Sequence, residues 1–334
     1  MTEKTLRKIG ITDYVQAPFQ IEREALGDGW ELIDLAIDKP EDFSKAELAE
    51  LDALLVWHAA ISPEVADCLK SCRMVVRYGV GYDLVDVGAL ERSNIIFCNT
   101  PDYGTEEVAD TAAAMILQQV RRLPEYDYQC RHYASGWQEH TLQPLARTSR
   151  MTLGLIGVGR IGTALMRRMR NFGFRLLGFD PYLPSGHEKA LGYERVEELE
   201  QLLALSDVVS IHCPATDETR GMVNADFLAR MKPGATLVNT ARGSILDSLD
   251  SLEQVLKSGH LRAAALDVLP EEPPSAHTLI NAWREEAPWL RGRLVITPHT
   301  AYYSEAAWRE MRFKAAETVR LFFERGVVRN RITA

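Results

Sequence analysis

The stretch LGLIGVGRIGTALMRRMRNFG, residues 153–173, constrains the fold more than any other part of the chain. An apolar run leads into Gly157, Gly159 and Gly162 at G-x-G-x-x-G spacing. Apolar Ile161, Leu165 and Met169 follow at helical spacing. A second apolar run, RLLGF, then ends at Asp180, 23 positions after Gly157. Strand, glycine turn, helix, strand and acid in this order are the fingerprint of a dinucleotide-binding βαβ unit. Gly157 allows the tight turn, Gly159 lets the backbone approach a pyrophosphate, and Gly162 lets helix and sheet pack closely. The helix opens at Arg160 and Ile161, whose amides and dipole face the phosphates. Asp180 accepts hydrogen bonds from ribose hydroxyls and repels a 2′-phosphate, so NAD is expected rather than NADP.

The same alternation extends along the chain. KIGITDY, WELIDLAI, ALLVWHAA, MVVRYGVG and IIFCNT read as strands of a first, small doubly wound α/β domain. EEVADTAAAMILQQVRRL, residues 106–123, has no Gly or Pro before Pro124 and reads as one long helix, a candidate crossing between domains. Six more strands follow: TLGLI, RLLGF, VVSIH, ATLVNT, AAALDV and LVITP. EAAWREMRFKAAETVRLFFERG reads as a terminal helix. At 334 residues the chain exceeds what one core usually supports, so two domains are expected.

In a parallel sheet the C-terminal strand ends share one edge, and ligands bind there. The six strands after residue 150 deliver the glycine loop, then Asp180, then His212, Cys213 and Pro214, then Thr240, Ala241 and Arg242, then Asp267 with the PEEPP loop, and finally His299. Imidazole titrates near neutrality, so His299 suits proton transfer at a carbonyl oxygen during hydride transfer to or from a nicotinamide. Glu271 or Glu272 can orient it. Arg242 can clamp a carboxylate bidentately and polarise the neighbouring carbonyl. Tyr302 follows His299 by three residues; a helix starting after His299 would set its ring beside the imidazole, facing the variable group of a substrate. His58 closes the apolar run LLVWH and is a further candidate for the pocket.

The balance of charge, −9, argues against a nucleic-acid partner. The opening MTEKTLRKIGITDYV has no apolar core of a secretory signal, and no run approaches about 18 apolar residues, so a cytoplasmic protein without a membrane span is expected. The five cysteines are scattered; Cys68 and Cys72 lack a second pair to complete a zinc site, and no metal is expected.

The segments LGLIGVGRIG, LVNTARGSILD, AALDVLPEEPP and ITPH, in this order, resemble the D-isomer-specific 2-hydroxyacid dehydrogenases. VRYGVGYDLVD, EEVAD, FDPYLPSGHEKALG and PHTAYYSE bring the chain nearest to the C-terminal-binding protein branch. The resemblance implies a catalytic trio of Arg242, Glu272 and His299; Glu272 is chosen over Glu271 because the family's acid directly precedes a proline. It implies that Asp267 helps hold the nicotinamide amide. The loop Tyr78-Gly79-Val80-Gly81 would offer backbone amides to the substrate carboxylate, through Val80 and Gly81. It implies two doubly wound parallel-sheet domains: a flavodoxin-like substrate domain from 1–101 and 306–334, and a Rossmann NAD-binding domain from 102–305. It also implies a homodimer and a small 2-keto or 2-hydroxy carboxylate as substrate. The branch carries tryptophan where this chain has Tyr302, usually serine where it has Val80, and, in the animal corepressors, a long flexible tail that the sequence lacks. The chain is therefore expected to be an NAD-dependent 2-keto acid reductase, with a dimeric NAD(H)-sensing scaffold of little turnover as the alternative.

Overall fold

The computed structural model of the chain describes residues 6–13, 15–36, 42–132, 137–142 and 144–334. The first residues of the N-terminal stretch, and Tyr14 and Ile37 at the ends of two expected strands, lie outside them. The chain divides into two compact units, Met1–Gly104 with Ser304–Ala334, and Thr105–Tyr303.

The first unit is built on β1 (Arg7–Ile11), β2 (Trp30–Asp34), β3 (Ala53–Val56), β4 (Met74–Arg77) and β5 (Ile96–Cys98). The short runs of Ile, Val and Leu pair in parallel, because the segments between them return the chain to the same end of the sheet. Its core includes Leu48, Leu51, Leu54, Val75 and Phe97. The terminal helix Glu305–Arg325 starts at Ser304, whose side chain accepts from the Ala307 amide. Arg312 on this helix donates two hydrogen bonds, 2.7 and 2.6 Å, to Glu22. Glu22 is fully buried and also accepts from the Tyr78 hydroxyl at 3.1 Å.

The second unit holds β6 (Thr152–Ile156), β7 (Arg175–Phe179), β8 (Glu194–Arg195), β9 (Val208–Ile211), β10 (Ala235–Asn239), β11 (Leu261–Leu266) and β12 (Leu294–Ile296). Their order is β12-β11-β10-β9-β6-β7-β8, all parallel. The order reverses at β6, so its C-terminal end is the switch point of a doubly wound sheet. Leu202, Leu228, Leu252 and Leu279 pack in one core cluster; Ala109, Ile116, Leu165 and Met169 pack in another. Each large apolar side chain buried this way stabilises the unit by about 1.5–3 kcal/mol.

Three features depart from the sequence reading. The helix expected over 106–123 ends at Val120, and a second runs from Leu123 to His132. Arg122 takes a left-handed backbone, φ 55°, and Pro124 sits in the first turn of the next helix, where its missing N–H costs nothing. The two-residue strands β8 and β13 (Arg331–Ile332) are too short to leave a periodic signal, and β13 pairs antiparallel to β5. The helix after His299 begins only at Glu305. Among the described residues no helix is long and apolar enough to cross a membrane.

Candidate active site

The glycine loop leaves β6 with Gly157 at φ 88°, a left-handed conformation that favours glycine. A Cβ there would also lie 2.6 Å from the Cys213 amide nitrogen. The turn is thus pressed against the end of β9. Beyond it, the helix Arg160–Arg170 buries Gly162, Leu165, Met166 and Met169 and leaves its first amides free of intrahelical partners. A Cβ on Gly159 would meet nothing within 4 Å, so the backbone there has an open face.

Asp180 at the end of β7 accepts from the Val158 amide at 2.9 Å and from the Tyr182 amide at 3.1 Å. The carboxylate so braces the glycine loop. Its remaining lone pairs still suit ribose hydroxyls. At the end of β9, the His212 amide donates to the Ile156 carbonyl at 2.8 Å, and Nε2 lies 2.8 Å from the Ser210 hydroxyl. Burial holds the imidazole down at about 4, so it is neutral at pH 7. Burial, with the Asp180 charge adding to it, pushes the Cys213 thiol up to about 11. It stays a thiol and is no nucleophile. Pro214 follows on the exposed side, where its carbonyl accepts from the Thr219 hydroxyl at 2.6 Å. Thr240, at the end of β10, buries its hydroxyl oxygen without a hydrogen-bond partner. An open backbone face at Gly159, an acid at the second strand end and an unpartnered hydroxyl at Thr240 together fit a dinucleotide.

Arg242 stands in a loop pinned by Asn239. The Asn239 side chain donates to the Arg242 carbonyl at 2.9 Å and accepts from the Ala241 amide at 3.0 Å. Next to it, Gly243 comes so near β11's outgoing loop that a Cβ would lie 1.7 Å from the Leu269 carbonyl oxygen. Only glycine allows this approach, and it brings the Arg242 loop against the loop that carries Glu272.

Glu272 uses both oxygens. One accepts from the Leu269 amide at 2.9 Å; the other lies 2.7 Å from His299 Nδ1. Burial alone would raise this carboxyl. The hydrogen bond and charge of His299, the Leu269 amide and the Arg242 guanidinium outweigh it, and the group is held below its ordinary value. The side chains of His299 and Glu272 remain 39% and 36% exposed, which leaves Nε2 reachable by a substrate. Glu271 instead accepts from the Ser275 amide at 3.3 Å.

Asp267 is 2% exposed and is surrounded by the His299 loop. Its carboxylate accepts from the Thr297 hydroxyl (2.5 Å) and from the Thr300 and Ala301 amides (2.9 Å each), while its carbonyl accepts from the His299 amide at 2.8 Å. This wrapping explains the late helix. The amides after His299 turn inward to the buried carboxylate, and His299 takes φ 54°. Tyr302 is half-buried in this turn, edge-on to Tyr303 with ring centroids 6.4 Å apart.

His58, Val80 and Gly81 belong to the first unit. His58 is exposed and stacks on Trp57 at 4.6 Å. The Val80 carbonyl accepts from Asn99 at 2.7 Å, and Thr100 donates to the Gly79 and Arg77 carbonyls at 3.0 Å each. Asn99, Thr100 and Asn239 carry no signal of their own in the sequence. Each is a strand-end polar residue whose partner is the backbone of a neighbouring loop, and only the pairing of strands reveals that.

Among the described residues, Asp250, Glu253 and His277 have a spacing that could hold a metal ion. His277 Nδ1 accepts from the Leu279 amide at 3.0 Å, which puts the ring proton on Nε2, 3.1 Å from Asp250. Both ring nitrogens of His277 are thus engaged, and the histidine serves as a helix cap.

The model of the D-isomer specific 2-hydroxyacid dehydrogenase NAD binding domain matches residues 113–301. The chain is 32% identical over 288 residues to C-terminal-binding protein 1 of Caenorhabditis elegans, covering 84% of this chain and 38% of that protein. It is 33% identical over 299 residues to D-3-phosphoglycerate dehydrogenase of Mycobacterium bovis, covering 89% and 54%. The chain thus spans about half the length, or less, of these curated relatives. Among solved structures, D-lactate dehydrogenase from Aquifex aeolicus, complexed with NAD and lactic acid, superposes with a TM-score of 0.84 at 27% identity, covering 98% of this chain and 99% of that one.

Proposed function

Because the chain belongs to the D-isomer specific 2-hydroxyacid dehydrogenase family, with that family's NAD-binding domain, we propose that it interconverts a small 2-keto acid and its (R)-2-hydroxy acid with NAD as cofactor. The observation that carries this reading is the His299–Glu272 pair at 2.7 Å, with Glu272 held below its ordinary value partly by Arg242. An imidazole oriented by a carboxylate that also feels a guanidinium, on the ligand-binding edge of a dinucleotide fold, suits proton transfer at a carbonyl next to a carboxylate.

The glycine loop, Asp180, His212 to Pro214, Thr240, Ala241 and Asp267 are the residues proposed to line the dinucleotide site. When bound, the nicotinamide supplies the hydride acceptor or donor. Glu272 accepts from His299 Nδ1–H, which fixes the ring and directs Nε2 outward. In reduction His299 starts as the imidazolium, donates its Nε2 proton to the carbonyl oxygen, and ends neutral; oxidation runs the same transfer in reverse. Arg242 holds the substrate carboxylate by its two-pronged guanidinium and draws electron density from the carbonyl. Val80 and Gly81 are proposed to offer backbone amides to the same carboxylate, and His58 and Tyr302 to meet its variable group. The proposed assembly is a cytoplasmic homodimer.

Steady-state NADH oxidation with small, branched, aromatic and phosphorylated 2-keto acids tests the reading. Turnover with at least one is the expected result. The similarity to a C-terminal-binding protein favours a second reading, a dimeric NAD(H)-sensing scaffold. Tight NADH binding without turnover on any 2-keto acid would select it.

A further inference from the structure

Tyr182 has no role so far, yet its placement is unusual. Two residues beyond Asp180, it is 75% exposed, so its ring gains little from packing on its own chain. Its hydroxyl nevertheless donates to the carboxylate of Glu218, in the turn that follows β9. The sheet order β9-β6-β7 puts these two loops on opposite sides of β6. Two strand spacings separate their roots by about 10 Å, a gap that a tyrosine and a glutamate side chain can close together. The bond therefore crosses the end of β6, where the glycine loop lies.

Both ends are anchored in backbone. The Tyr182 amide donates to Asp180 at 3.1 Å, and the Leu183 carbonyl accepts from Arg195 at 2.9 Å. On the other side, the Thr219 hydroxyl donates to Pro214 O at 2.6 Å and accepts from the Thr216 amide at 2.8 Å, while the Arg220 amide donates to the Thr216 carbonyl at 2.9 Å. With both loops held, opening the crossing requires only rotation of the two side chains.

We propose that Tyr182 and Glu218 form a strap over the adenosine end of the dinucleotide crevice, and that this strap slows dissociation of the bound cofactor. The proposal rests on the dinucleotide reading of the glycine loop and assigns these two residues a positioning role, with no part in proton or hydride transfer. Because the bond is exposed, its effect is that of one hydrogen bond of ordinary net strength, a factor of about five in a rate.

The test is stopped-flow displacement of NADH from the full chain, followed by nucleotide fluorescence. Tyr182→Phe and Glu218→Ala are each expected to raise the NADH dissociation rate about fivefold without lowering the melting temperature. The double variant should do no more than either single one, since both remove the same bond. Glu218→Gln keeps an acceptor for the Tyr182 hydroxyl and should stay within about twofold of wild type. Dissociation rates unchanged in Tyr182→Phe and Glu218→Ala would overturn the strap. So would faster association with unchanged dissociation, which would make the pair an obstruction to entry. Failure of the wild-type chain to bind NADH at all would overturn the dinucleotide reading and the strap with it.

Discussion

His299 does the proposed chemistry from a strained position, with a left-handed backbone and Nδ1 committed to Glu272. His299→Ala should lower kcat about 10²–10⁴-fold and leave NADH affinity within a few-fold, as steady-state kinetics and fluorescence titration would show; a near wild-type kcat would remove the residue from the mechanism. Glu272 adds a pH signature. Its carboxyl is held below its ordinary value in the fold, so the pair stabilises the native state above the unfolded carboxyl's range, about 4.3, and loses that contribution as pH falls through the depressed value. Urea midpoints measured from pH 6 to 3 should therefore fall more steeply for wild type than for Glu272→Gln. Parallel curves would mean that the hydrogen bond to His299 adds no linkage. Asp180 braces Val158 and Tyr182, and is also the residue proposed to meet the ribose. Replacing it with alanine should weaken NADH binding as well as relax the preference against NADPH, and equal wild-type kcat/KM for NADH and NADPH would contradict the preference itself.

At the scale of the element, loops rather than strands aim the site. Asp267 ties β11 to the turn after β12 through three hydrogen bonds to its buried carboxylate. Asn can replace only part of that acceptor capacity. Asp267→Asn should cost roughly 1–3 kcal/mol in unfolding free energy, the penalty of a buried donor left unmatched, and should lower kcat because His299 loses its fixed position. Denaturant unfolding and kinetics on one preparation would check both; a drop in stability with full kcat would make Asp267 structural alone. Helix caps behave more simply. Ser304→Ala removes the acceptor for the Ala307 amide at 2.9 Å and should cost about 1 kcal/mol, with NADH affinity unchanged.

For the molecule as a whole, each unit has its own sheet and its own core, and the chain crosses between them twice, after Gly104 and after Tyr303. The first unit depends on a long-range ion pair, Glu22 with Arg312, fully and largely buried. Glu22→Ala would strand the guanidinium and the Tyr78 hydroxyl, at a cost of about 3–5 kcal/mol. Hydrogen exchange should quicken in the first unit and stay unchanged in the β6–β12 sheet; uniform acceleration would mean that the two units unfold as one. Much of this architecture is legible in the chain itself. Short β-branched runs between helical stretches specify parallel strands, and glycine spacing with a distant acid specifies the nucleotide turn, because those signals are local and repeat at fixed periods. The break at Arg122, the two-residue strands, the inward turn after His299 and the loop-pinning roles of Asn239, Asn99 and Thr100 were decided by tertiary structure. Each depends on a partner far along the chain or on a backbone conformation that side-chain pattern does not encode. The sequence by itself determined which residues reach the edge of the nucleotide sheet, since strand ends are where parallel topology delivers them. Only the folded chain decided how they are aimed: the bond from Glu272 to His299 joins residues 27 positions apart, and it forms because a buried carboxylate at Asp267 and the bare Cα of Gly243 let three loops close on one another.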